Sequence, residues 1–579
     1  MLIWYGLCAA LVLAVTGAVI LNRPDAVREP TPAAGPRPRA AIRTILALLA
    51  FVVASGILFW VFRARTQFLG DGVVWLAGMK RGDMLEGSEP LAEALLMAVA
   101  RYLRSAGHAI TASAVAPFSV ACGVVGALAI WGIAREISSD SRRFLSTLLL
   151  LATLGSAALF FGYVESYPPV AVAVLAFVFV GLRACRTGSA PWLPGVVLAV
   201  GLASHLAFAY LVPAYLYLVF RNVQGPGRRT AYLLAPGVVA MGLVLALGFG
   251  PDRWQHTLRI ATEAFHPASL AQTQLHPHDA RPYPILSLAH GIDLGNLLLL
   301  VLPAPLLLLV SRAIAVRGLT RPGLEPGDSF LAWCAIPGFI VACGLVLPVA
   351  AAQDWDLFAL LLIPLGIYAI RVGLSNLTGP GGTLVAAAAV IVGTVGLGSF
   401  VLVNADPAAG LARYSVLTGP GARITPYARA YGHELLAQYY RSLGDSRAAL
   451  DHASALLEIE PTNPRYWAMV GAIHYSRGDY PAAIPYLEES VRRGSKSAGT
   501  WTNLGICYAQ TGRAVDALAQ LHIAAAMEPE SPQNQLNLAL SLLNAQRADS
   551  SRIVLQEAIR RWPHFAPAQN AMTRHFGAQ

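Results

Sequence analysis

Gly444, Gly478 and Gly512 stand 34 residues apart, and so do Trp467 and Trp501, and Pro529 and Pro563. A fixed period of this length, carried by a turn glycine, an aromatic residue and a closing proline, admits few architectures. Each period holds one helical hairpin that is too small to bury its own apolar face. Neighbouring hairpins must therefore stack into a curved array with a concave side. The rest of the chain obeys a different rule. Of the 579 residues 56% are hydrophobic and only 13% charged, with a mean hydropathy of +0.55. A soluble domain carries about 25% charged residues, so the first two thirds is expected to sit in lipid. The fold class is all-α: a polytopic bundle of membrane helices followed by an α-solenoid.

The periodic part, with its turn glycine, small residues in the second helix and terminal proline, resembles the tetratricopeptide repeat. Four helical pairs fit the register, at about 428–460, 463–495, 498–530 and 532–564. The first lacks the Trp and the fourth has Gln546 where the turn Gly belongs, as expected of capping repeats. Trp467, Trp501, Tyr475 and Tyr508 read as core. The resemblance implies a groove for a peptide or protein, with Asn503, Asn537 and Arg513 as candidate lining residues. Such a groove raises the local concentration of an acceptor held in it.

Charge places the apolar part. The net charge of +10 comes almost wholly from Arg, since Lys occurs only at Lys80 and Lys496. The Arg residues fall between apolar runs, which is the positive-inside bias of a multi-pass protein and not a nucleic-acid surface. About 12 spans are read, near 2–21, 43–63, 108–134, 144–162, 168–183, 191–204, 205–220, 230–250, 292–311, 329–350, 357–371 and 383–403. The first is an uncleaved anchor, because its basic residues follow it. This gives an anchor and basic loop (1–42), a transmembrane domain (43–404), a linker (405–425) and a repeat domain (426–579). Basic loops on one side make that side cytoplasmic. Both termini and the repeats are then expected outside, periplasmic or extracellular, on an inner (plasma) membrane protein. The stretch 191–220 reads as two short helices meeting near Ser204-His205, or as a re-entrant hairpin. The six cysteines show no CxxC or CxxH spacing, so neither a disulfide framework nor a zinc site is expected.

On this topology several ionisable residues gather on the outer face. Asp71 lies between glycines, Glu89 precedes a proline, and Glu165 sits in Tyr163-Val164-Glu165-Ser166-Tyr167. His205 marks a tip, and Asp354-Trp355-Asp356 opens the eleventh span. The loop 251–291 carries Arg253, His256, Arg259, His266, His276, His278, Asp279 and Arg281. Singly, each acid also fits a turn or a helix cap, and the His-rich loop fits a solvated surface. Together, carboxylates at membrane level are costly and mark function.

Gly70-Asp71 followed by Glu89-Pro90-Leu91 at the head of a helix resembles the GT-C class of membrane glycosyltransferases. Glu165-Ser166-Tyr167 resembles the Glu-x-Tyr element of its mannosyltransferase-like members. Gly201-Leu202-Ala203-Ser204-His205 resembles their Gly-Leu-x-x-x-His tip, one residue shorter. Such spans followed by repeats are the layout of protein O-mannosyltransferases with C-terminal tetratricopeptide repeats. The pattern departs in having Gly72 after Asp71 where two adjacent acids are usual; Asp83, Glu86 or Glu89 are candidates for the second. The resemblance implies transfer of a sugar from a polyprenyl-phosphate donor to an acceptor hydroxyl. Asp71 and Glu165 are the catalytic candidates, Asp71 as general base. His205, Arg281, Arg253, Arg259 and His256 are candidates for the departing phosphate. Asp354, Asp356 and Glu89 are candidates to hold the sugar or a cation. Carboxylates suit Mg²⁺ or Mn²⁺, although no arrangement in the sequence forces a metal. Two other readings stay open: an O-antigen ligase or polymerase-like enzyme, which the His-rich loop favours, and a non-catalytic membrane-anchored scaffold for envelope assembly.

Overall fold

The computed structural model describes residues 38–82, 89–138, 140–247, 286–315, 325–345, 354–375, 377, 379–419, 421 and 424–577. The expected anchor at 2–21, and Arg253, His256, Arg259 and Arg281 of the 251–291 loop, lie outside them, as do Asp83 and Glu86. Every regular element among the described residues is helical. The chain divides into two compact units, one ending at Thr425 and the other beginning at Pro426.

The first unit opens with α1 (Pro38–Val61), two shorter helices α2 (Gly72–Arg81) and α3 (Pro90–Ser105), and the long α4 (Ala112–Ile137). Then come α5 (Ser141–Ala152), α6 (Tyr167–Thr187), α7 (Trp192–Ser204), α8 (Val212–Asn222) and α9 (Pro226–Ala246). The unit closes with α10 (Leu288–Val301), α11 (Pro303–Ala315), α12 (Pro326–Gly344), α13 (Trp355–Ser375), α14 (Gly379–Ala405) and α15 (Pro407–Thr418). Helix α13 is its axis: Phe358 to Ile363 are each at most 2% exposed. Around it α1 shows the opposite face, with Ile42, Ile45, Leu46, Leu49, Val53 and Ile57 each more than half exposed.

Among the described residues seven helices are long and apolar enough to cross a membrane, or eight if α10 and α11 are counted as one bent span. The described residues thus show fewer spans than the expected twelve, of which the one at 2–21 lies outside them, and the shortfall has local reasons. The 144–162 run stops at Thr153, whose hydroxyl bonds back to the Leu149 and Leu150 carbonyls before a 3₁₀ turn from Gly155 to Phe160. The 292–311 run bends by 102° ahead of Pro303, which has no N–H to continue the ladder. The 191–220 run breaks at His205, where two short helices were expected to meet: its backbone is extended (φ −163°, ψ 133°) and its Nδ1 accepts from the Ala207 amide at 2.8 Å.

The segment expected as a linker is largely helix. Asp406 caps α15 by accepting from the Ala408 and Ala409 amides, and Pro407 fills its first turn.

The second unit stacks helical pairs: α16 (Pro426–Ser442) with α17 (Ser446–Ile459), α18 (Pro464–Ser476) with α19 (Tyr480–Arg492), α20 (Ala498–Gln510) with α21 (Ala514–Met527), and α22 (Pro532–Asn544) with α23 (Ala548–Arg561). A final helix, α24 (Ala566–Phe576), covers the end of the array. The turn glycines Gly444, Gly478 and Gly512 have φ of 78°, 73° and 81°, and Gln546 takes the same left-handed turn at 59°. Trp467 and Trp501 each donate their indole N–H to the carbonyl six residues back, Pro461 and Ser495. Gln569 does the same to Pro563. The period is thus a period of contacts.

Candidate functional site

Two loops at one end of the first-unit bundle build the candidate site. The segment after α1 is tied to the one before α6: the Ala64 amide donates to the Phe161 carbonyl at 2.6 Å, and Gln67 spans the pair. Its Oε1 accepts from the Val164 amide at 3.1 Å, and its Nε2 donates to the Gly162 carbonyl at 3.4 Å. These ties bring Gly70 over Glu165 and Asp356. A Cβ built on Gly70 would lie 2.4 Å from Glu165 Oε1 and 2.5 Å from Asp356 Oδ2, and its φ of 75° already disfavours a side chain. Only glycine lets the two carboxylates converge there.

Glu165 and Asp356 are each 1% exposed. Neither oxygen of Glu165, nor Asp356 Oδ2, nor the Ser166 hydroxyl has a well-formed hydrogen bond among the described residues, although the Asp71 amide approaches Glu165. Burial, followed by the charges of Asp356, Asp71 and Glu89, pushes the Glu165 carboxyl well above its ordinary 4.5. Burial, then Asp71 and Asp356, does the same to Asp354. Five acids separated in sequence therefore act on one another as a cluster.

The acids are not consumed by capping. Asp71 and Glu89 stand at the N-caps of α2 and α3, yet neither side chain makes a capping hydrogen bond. Glu89 Oε1 instead meets His205 Nε2 at 3.2 Å. Because His205 Nδ1 already accepts from Ala207, Nε2 carries the proton and donates to Glu89. The His205 ring packs on Tyr167 at 5.4 Å. Asp71 is exposed, whereas Glu165 is buried.

At the far end of α13, Arg371 bonds Asp328 at 3.0 Å, the Ile137 carbonyl at 3.0 Å and Glu325 at 2.7 Å. Asp356 and Arg371 are fifteen residues apart on one helix, about 22 Å at 1.5 Å per residue. Arg371 and its two acidic partners thus lie at the opposite end of α13 from Asp356.

Of the predicted site residues the structure gathers Asp71, Glu89, Glu165, His205, Asp354 and Asp356. The repeat residues belong to the second unit. Asn537 accepts from Gln533 at 3.0 Å, and Asn503 is half-buried one period earlier. Arg513 is engaged within the array, donating to Asp516 at 2.7 Å and lying 4.0 Å over the Tyr508 ring. Among the described residues no group of three or more His, Cys, Asp or Glu has the geometry to hold a metal.

Sequence reasoning missed Arg413. Its Nη2 donates to Asn404 at 2.6 Å, and its guanidinium lies 5.1 Å from the Phe400 ring centre. The Asp406-Pro407 helix start was the signal that could have found α15.

No curated protein matches the chain. The family model for the tetratricopeptide repeat matches residues 434–498, 473–521 and 502–564. Similar solved structures include YrrB, a tetratricopeptide protein with an unusual peptide-binding site, at 19% identity over 25% of this chain and 74% of that one, TM-score 0.24. A thermophilic tetratricopeptide protein of Thermus thermophilus is 20% identical over 29% of this chain and 92% of that one, TM-score 0.23. The APC/C hetero-tetramer Cut9–Hcn1 is 14% identical over 78% of this chain and 99% of that one, TM-score 0.27. The C-terminal unit carries tetratricopeptide repeats.

Proposed function

We propose that this chain is a multi-pass glycosyltransferase of the GT-C kind, with its acid-bearing site on the outer face of the membrane. It moves a sugar from a polyprenyl-phosphate donor to a hydroxyl of a protein acceptor that the repeats capture. The observation carrying this reading is the convergence of Asp71, Glu165 and Asp356 around Gly70, with Glu89 and His205 beside them. A bare scaffold has no use for buried carboxylates without partners, each of which costs stability. The apolar stripe along α1 supports a lipid setting, since an exposed patch of this length is unfavourable in water.

In this reading Asp71 removes the acceptor proton, because it is the exposed acid of the cluster and its carboxylate is within the field of the others. Glu165 and Asp356 orient the sugar hydroxyls, accepting hydrogen bonds with the oxygens that lack them. His205 is held by Glu89 with Nδ1 engaged, so its role is to brace the cluster. One positioned base contributes about 10²–10⁴-fold. Purified protein in lipid, offered polyprenyl-phosphate sugars and acceptor peptides, tests the reading against Asp71→Asn. Transfer by the wild type that falls by that factor in the variant is expected. An unaffected variant removes Asp71 from the site, and no transfer by the wild type across donors favours the scaffold.

A further inference from the structure

The carboxylate cluster has a counterpart of opposite character, contributed by the chain beyond the last long apolar helix. Tyr414 of α15 is fully buried and stacks on Phe68 at 5.0 Å and 13°. A Cβ on Gly410 would come within 2.7 Å of Thr66 Oγ1. These contacts register α15 against the segment that carries Gly70 and Asp71, and they set Arg413 in place. From Arg413 an aromatic seam runs inward: Phe400 meets Trp355 edge-on at 4.7 Å, and Trp355 meets Tyr163 at 5.6 Å. Tyr163 is within the electrostatic reach of both Arg413 and the carboxylates of Asp356 and Glu165.

Along this seam Arg413 Nε and Trp355 Nε1 are buried donors without a well-formed hydrogen bond among the described residues, while the buried Tyr163 hydroxyl meets the Arg413 guanidinium. A buried donor left without an acceptor costs about 1–3 kcal/mol. Two such donors, one of them on the Arg413 cation itself, mark a place where an acceptor is missing. Beside them the unsatisfied atoms are acceptors instead: both Glu165 oxygens, Asp356 Oδ2 and Glu89 Oε2. The site is polarised. Its carboxylate part suits hydroxyl groups, and its Arg413 part suits an anion rich in oxygen.

We propose that Arg413, Trp355 and Tyr163 form the subsite for the phosphate of the ligand whose hydroxyl-bearing part meets the carboxylates. Arg413 supplies the charge and a directed N–H, which a guanidinium provides in a fixed plane. The two aromatics supply single donors, and Asn404 holds the guanidinium in position. The assignment rests on the transferase reading for the identity of the ligand, while phosphate binding is measurable without any transfer.

The test is equilibrium binding to the full-length protein in lipid nanodiscs. The probes are a short-chain polyprenyl monophosphate, the matching neutral polyprenol, and inorganic phosphate as competitor. Arg413→Met keeps the packing over Phe400 and removes the charge. It is expected to weaken polyprenyl-phosphate binding about 10–100-fold, to leave polyprenol binding unchanged, and to melt like the wild type. Competition by inorganic phosphate that disappears in Arg413→Met identifies a site for phosphate as such; failure to compete identifies a lipid headgroup site. Both support the subsite. Equal affinity of wild type and Arg413→Met overturns it, as does a wild type that binds neither phosphate probe. If Arg413→Met does not fold, Arg413→Lys decides, since it keeps the charge without the planar fork and is expected to weaken binding about tenfold. A wild type that binds the phosphate probe yet transfers no sugar retires the transferase reading and leaves the subsite standing.

Discussion

The two units treat buried polar groups in opposite ways. In the repeat unit a buried hydroxyl commonly finds a carbonyl: Ser490 donates to Pro464 at 2.7 Å and Ser551 to Ala539 at 2.8 Å. Exceptions such as Ser541 and Gln520 are scattered along the array. In the first unit the unsatisfied atoms of Glu165, Ser166, Trp355 and Asp356 fall within two short stretches that meet at one place. A stacking module is selected for its own stability, so its polar atoms are paired internally. A site is selected for what it binds, and its polar atoms are left for the ligand.

That contrast is open to attack, most forcefully through Glu165→Gln. Sugar transfer is expected to fall by about 10–100-fold as charge-assisted hydrogen bonds to the sugar are lost, whereas the melting temperature stays level or rises, because a buried carboxylate without a well-formed side-chain partner is removed. Its counterpart, Ser551→Ala, removes a satisfied hydrogen bond and is expected to lower the stability of the repeat unit by about 1 kcal/mol. Melting curves read alongside turnover decide the matter. A less stable Glu165→Gln with transfer intact would make the acid structural.

A smaller effect concerns acid. The Glu165 carboxyl is raised above 4.5 in the fold, so its favourable contribution is fully present below pH 4.5 and is lost as pH rises towards its folded value. Burial depresses His433 and His452 below 6.5; their Nδ1 atoms lie 3.0 Å apart, and Arg429 adds to the effect on His433. Their contribution is present above pH 6.5 and is lost as pH falls through their folded values. Acidification from pH 7.5 to 5.5 should therefore raise amide protection, measured against the intrinsic exchange rate at each pH, around 157–187 and lower it across α16 and α17. Hydrogen exchange read by mass spectrometry checks both, and protection that shifts in the same direction in both regions would erase the distinction.

The smallest effect lies in the repeats alone. Gln546 occupies a left-handed turn that glycine takes in the three earlier repeats, so Gln546→Gly should stabilise the array by about 0.5–1 kcal/mol. Thermal melting of the protein measures it, and a loss of stability would show that the Gln side chain compensates for the strain.

Much of the repeat unit was legible because its signals are local. The 34-residue spacing, the turn glycines and the Trp positions each report a contact made within one hairpin or to the next. The long apolar helices were legible for the same reason, since length and composition suffice. Their interruptions were not. Thr153 bonding back to its own helix and the 102° bend before Pro303 are decided by how neighbours pack, and an apolar run looks continuous through them. The acids were visible as a set beside apolar runs. The donors at Arg413 and Trp355 were not, because nothing in a buried Arg or Trp announces that its polar atom lacks a partner.

By itself, then, the sequence determined the helical class, the periodic array and the presence of costly carboxylates at helix ends, because periodicity and hydropathy act between near neighbours. The tertiary structure alone decided that Gly70 lies over Glu165 and Asp356, and that α15 returns to set Arg413 beside the aromatic seam. Those pairings join residues far apart in the chain, and only the packing of whole helices, to which each residue contributes a little, selects which loops meet.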